Sequence, residues 1–174
     1  MSIRSELLNR STEGRLVVFK AVPQSRLIFL TKQVDERLSK LAPNDDAYLA
    51  IQELKADLAY ISQGNQVVIG SKRHKTCHFK ELTVKPPAVW TISSRAPKPG
   101  MRLFGMFAAQ DVFIGTTLYE RQKLGGKKSP TWKEAIRTCR AEWRNLFGNY
   151  APFAGGFDEY FSQNYTDARD LESG

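Results

Sequence analysis

The sequence predicts an α+β domain: a small antiparallel sheet with an N-terminal helix hairpin and a C-terminal helix. Three observations predict it. Apolar residues recur at helical spacing on both sides of Pro43. Three β-branched and aromatic runs then follow one another across short turns. A last amphipathic stretch opens at Ser129-Pro130. The chain of 174 residues is long enough for one well-buried core. It divides into a polar N-terminal extension (1–14), a main domain (15–148) and an acidic aromatic tail (149–174).

The elements follow in order. Arg15–Phe19 and Leu27–Thr31 are β-branched and aromatic, with Pro23 and Ser25 between them, and read as one interrupted strand or a short hairpin. Val34, Leu38 and Leu41 then mark a helix that Pro43 ends. Asn44 reads as the cap of a second helix, with Asp45 and Asp46 at its positive end and Ala47, Ile51, Leu54, Leu58 and Ile61 as its stripe. Gly64 stops it. Gln66–Ile69 is a brief apolar run before the basic stretch Ser71–Lys80. Ala88–Ser93, Arg102–Phe107 and Val112–Leu118 are the three strands, and their short connections make an antiparallel meander. In the last helix Pro130 suits the first turn, Thr131 and Glu134 have capping-box spacing, and Trp132, Ile136, Cys139, Trp143 and Leu146 share a face.

Charge is the most uneven property of the chain. Residues 1–70 carry nine Lys/Arg against eight Asp/Glu, residues 71–148 sixteen against five, and residues 149–174 one against five. An excess of eleven positive charges in fewer than eighty residues is an address for phosphate, above all nucleic acid, although a merely soluble basic surface carries charge too. No apolar run approaches the length of a membrane span, and the first residues lack the apolar core of a signal peptide. Two cysteines, Cys77 and Cys139, do not make a disulfide framework. A soluble cytoplasmic protein is the expectation.

The local sequence adds a resemblance. Phe79-Lys80-Glu81-Leu82, then Pro87, Ala88, Val89, Trp90, Ile92 and Arg95, are similar to a strand entry of the RelE/HigB/ParE toxin superfamily. Met101-Arg102-Leu103-Phe104 resembles its next strand, and Val112–Leu118 followed by Tyr119-Glu120-Arg121-Gln122-Lys123 resembles the one after. Ser129-Pro130 before an alanine-containing helix resembles its closing helix. The resemblance covers residues 79–147, is nearest to the HigB and phage-derived branch, and extends over the first 70 residues by element order alone. The chain departs from the family where Thr91 follows Trp90 in place of glutamate. It departs again where Arg121 and Lys123 stand for paired lysines, with Lys127 and Lys128 delayed.

The resemblance implies a RelE-like fold and an mRNA endoribonuclease, working on the ribosome or free and restrained by a cognate antitoxin protein. The implied reaction is metal-independent and needs no cofactor: the ribose 2′-hydroxyl attacks the adjacent phosphate. It requires a base, an acid, and cations for the crowded phosphorane. Arg102 and Arg121 suit the cationic role because a guanidinium is always charged and grips two oxygens. Lys80 and Arg95 would flank the same face. His78, Tyr119 and His74 are the acid and base candidates. Lys72, Arg73, Lys75, Arg95, Lys123, Lys127, Lys128, Arg137, Arg140 and Arg144 are nominated to hold nucleic acid. His74 and His78 stand four apart around Cys77, but with no second pair of ligands they read as loop histidines and not as a metal site. The alternative is a member of the fold without chemistry: a ParE-like gyrase inhibitor, or a mobile-element accessory protein that binds nucleic acid or protein.

Overall fold

The computed structural model describes residues 2–71, 73–83, 85–94, 96–126 and 128–172. The domain is α+β. Its helices are α1 (Ile3–Thr12), α2 (Lys32–Ser39), α3 (Tyr48–Ser62), α4 (Pro130–Phe147) and α5 (Ala168–Leu171). Its strands are β1 (Leu16–Val18), β2 (Leu27–Thr31), β3 (Val67–Ser71), β4 (Phe79–Glu81), β5 (Trp90–Ser93), β6 (Met101–Ala109), β7 (Val112–Glu120) and β8 (Tyr165–Asp167). A 3-10 turn at Arg121–Leu124 follows β7.

The sheet is larger than the small antiparallel sheet expected from sequence. Eight strands run in the order β1-β2-β7-β6-β5-β4-β3-β8, and three pairings, β2/β7, β3/β4 and β3/β8, are parallel. The expected meander is there as β5-β6-β7, antiparallel throughout. The first two runs form a hairpin, β1/β2, which docks on β7 far along the chain. Strands β4 and β8 have three residues each and carry Lys80, Glu81 and Asp167, so no apolar alternation announces them.

Strand β6 explains the layering. Leu103 and Phe107 enter one apolar cluster; Phe104, Met106 and Ala108 enter the other. Neighbouring residues of a strand point to opposite faces, so β6 is buried on both and reads as a continuous apolar run. Helices α2 and α3 cover one face together with Tyr160 and Phe161; α1 and α4 cover the other. Gly105 sits at a bulge against β7, where an added Cβ would lie 2.1 Å from the Ile114 carbonyl oxygen.

Helix ends depart from expectation in three places. Residues 3–12 are helical, not loose: Leu7 is buried and Arg10 Nε donates to the Leu146 carbonyl at 2.6 Å, tying α1 to α4. Helix α3 starts four residues after Asn44. Asp45 accepts from the Ala47 N–H at 2.8 Å and pairs with Arg37 at 3.2 Å. Helix α4 is capped by Ser129, whose Oγ accepts from the Trp132 N–H at 3.3 Å and donates to the Leu124 carbonyl at 2.6 Å.

The aromatic tail is part of the core. Tyr160 and Phe161 are each 2% exposed and pack on Phe107, with Tyr160 also against Trp90 and Phe161 against Phe79. Arg26 anchors the segment from within. It is 3% exposed, donates to the carbonyls of Ile61, Asn65, Gln163 and Asn164, lies 3.7 Å from Asp111, and sits over the Phe161 ring. A buried guanidinium is tolerated because its donors are satisfied in this way.

Candidate functional site

Strand register builds the site. Arg102 on β6 lies opposite Tyr119 on β7, and the Arg121 N–H donates to the Gly100 carbonyl at 2.9 Å, keeping the 3-10 turn beside the strand ends. Arg121 stacks over the Trp132 ring at 5.6 Å, so it stands on the α4 side of the sheet. Tyr119 is on that side too, edge-on to Phe104 and lining one cleft with Thr138 of α4. Cross-strand partners share a face, which brings Arg102 to the same corner.

Each arginine is fixed through one nitrogen. Arg102 Nη1 donates to the Met101 carbonyl at 2.8 Å and Arg121 Nη1 to the Gly125 carbonyl at 2.7 Å. Among the described residues neither forms an ion pair. Burial, and after it the charge of Arg121, lowers the Arg102 pKa below the ordinary guanidinium value. Two like charges are thus held in one half-buried corner, which an anion bridging them would relieve. Burial raises the Tyr119 pKa, so at neutral pH it is a neutral phenol, able to donate a proton and unable to serve as a base.

The other nominated residues lie elsewhere. Lys80 shares the face with Arg102 but stands two strands away, about 10 Å across the sheet. His78 stacks on Tyr60 of α3, and its Nδ1 accepts the Val68 N–H at 2.9 Å. His74 is buried at the end of β3, accepts the Ser71 N–H at 3.1 Å, and lies 3.5 Å from Glu172. Exposed Arg73 and Lys75 belong to that same turn, at least three strands from the arginine pair. Lys72, Arg95 and Lys127 lie outside the described residues. Among the described residues no group of three or more His, Cys, Asp or Glu comes together to hold a metal.

The second basic feature is α4. Arg137, Arg140 and Arg144 share one stripe with Lys133, at spacings of four, three and four, over about 16 Å of helix. Arg137 pairs with Glu134, and Arg140 donates to the Lys85 and Pro87 carbonyls at 3.3 and 3.1 Å. That bond sets exposed Lys85 beside the stripe. Helical spacing marks Lys133 as part of the stripe, whereas Lys85 is placed beside it only by the Arg140 bond to its carbonyl. Exposed Lys128 precedes the helix, and Lys123 is held by Glu120 at 3.0 Å.

No family model, curated protein or solved structure matches this chain. The site brings two guanidinium groups and a neutral phenol to the head of a basic helix stripe, a set suited to gripping phosphate along a polyanion.

Proposed function

We propose that this chain is a RelE-like, RNA-binding toxin that cleaves mRNA by 2′-hydroxyl attack. The observation carrying the proposal is the Arg102/Arg121 pair, brought together without a carboxylate partner among the described residues. In the reaction the 2′-hydroxyl gives its proton to water as its oxygen bonds to phosphorus, the bond from phosphorus to the 5′-oxygen breaks, and a cyclic phosphate and a 5′-hydroxyl result. Arg102 and Arg121 neutralise the phosphorane oxygens. Tyr119 protonates the departing 5′-oxygen. Lys80 holds a phosphate further along the strand, and the α4 stripe with Lys85 and Lys128 holds RNA of the ribosome or of the message. A cognate antitoxin would answer the basic surface with acidic residues.

The binding-only alternative has its own support. His74 and His78 are both engaged far from the pair, so neither serves as the base. Inducible expression in bacteria separates the two. Growth arrest with new mRNA 5′ ends, both lost in Arg102→Ala/Arg121→Ala, is the result expected for the nuclease. Arrest without new ends would assign the chain to the binding class.

A further inference from the structure

A cleft of about 630 Å³ lies between α2, α4 and the end of β7. That volume falls among small-molecule sites, which span about 300–1,000 Å³. Val34, Met101 and Leu118 supply its apolar lining, and Gln33, Tyr119 and Thr138 its neutral polar groups. Its charges are matched within the protein: Arg37 with Asp45 and Glu120, Lys40 with Glu36, and Lys123 with Glu120. A charged occupant would find no counter-charge to spare, whereas a neutral one with apolar faces needs none.

Backbone groups complete the lining. Strand β2 pairs with β7 only from Val112 to Gly115, and the Thr31 hydroxyl then donates to the Thr116 carbonyl at 3.0 Å. The Ser94 N–H donates to the Met101 carbonyl, so the Met101 backbone faces β5. Alternation in an antiparallel ladder makes Arg102/Tyr119 and Phe104/Thr117 the bonded pairs between β6 and β7. The Leu118 C=O and the Glu120 N–H are consequently neighbours on the outer edge, an acceptor beside a donor.

We propose that this cleft binds the planar ring of a nucleobase, with its polar edge on the Leu118 C=O and Glu120 N–H and its faces against the apolar lining. A nucleobase carries a donor beside an acceptor on one edge, the complement of that backbone pair. The uncharged ring suits the balanced charges of the cleft. A free nucleoside and a base of bound RNA present the same chemistry, and Tyr119, which lines the cleft, stands opposite Arg102 in the strand register. The ring site stands apart from the RNA-cleavage reading, because the backbone pair takes no part in that reaction.

Amide chemical shifts of the full chain test it, with adenosine, cytidine, guanosine and uridine as probes. At least one of them shifts the Leu118 and Glu120 amides. Methylation that removes the donor on its base weakens it about 10-fold or more, because the Leu118 carbonyl is then left unpaired. Two arms separate the sources. Equal binding of the nucleoside to wild type and Arg102→Ala/Arg121→Ala, with no gain from a linked second nucleotide, assigns the site to a free nucleoside. Tighter binding of an uncleavable 2′-deoxy dinucleotide, with the gain lost in Arg102→Ala/Arg121→Ala, assigns it to a base of the RNA. Silence of both amides towards every nucleoside and dinucleotide would overturn the proposal. So would equal shifts from ribose 5-phosphate, or a donor-blocked nucleoside that binds as tightly as its parent.

Discussion

Arg102 and Arg121 share a corner in which no carboxylate pairs with either among the described residues, and each has donors beyond the one that fixes it. Arg121→Ala and Arg102→Ala should each lower RNA affinity, and the pair together should lower it further. Tyr119 separates binding from chemistry. Tyr119→Phe should keep RNA affinity and cut the cleavage rate by about 10²- to 10⁴-fold, measured in single-turnover reactions. Cys139 gives a pH prediction. Burial pushes its thiol up to about 12, so the folded state holds a proton that the unfolded chain releases near pH 9. The resulting stabilisation is complete below pH 9 and fades between pH 9 and 12. Urea titrations across that window should show a smaller loss for Cys139→Ala than for the wild type.

At the scale of elements, the anchor of the tail is the sharpest case. Replacing Arg26 by Ala would take a donor from each of four carbonyls and the cation from beside Asp111, and should cost about 3–5 kcal/mol in denaturant unfolding. A Ser129→Ala change, losing a single cap, should cost about 1 kcal/mol. The contrast shows what the sequence could announce. Ser129, Pro130 and the α4 stripe are legible because capping and helical period are local rules. Arg26 looks like any surface arginine in a turn, since its acceptors come from residues 61–65 and 163–164. Periodicity announces neither β4 nor β8 for the same reason: three residues with charges among them become strands only by pairing with β3 and, for β4, with β5. The meander and both middle helices carried their own periodicity and were legible throughout. Of the site, Arg102, Arg121 and Tyr119 could be named from sequence, but their convergence and the departure of His78 and Lys80 depend on register.

At the scale of the whole molecule, the acidic tail closes the fold. Asp167 pairs with Arg169 and Glu159 caps the Gly156 N–H within the tail, while Glu172 faces His74 in the turn after β3. Truncation after Gly148 should therefore abolish cooperative thermal unfolding, because Phe107 and Trp90 would lose Tyr160 and Phe161. A built-in inhibitor would give the opposite result, a folded protein with raised RNA affinity. The measurement that tests the central claim most directly is the salt dependence of binding to a single-stranded RNA oligonucleotide, wild type against Arg102→Ala/Arg121→Ala. Two lost phosphate contacts should flatten the slope of log affinity against log salt by about 1.4. An unchanged slope, in a variant with native circular dichroism, would mean that the arginine pair does not touch phosphate.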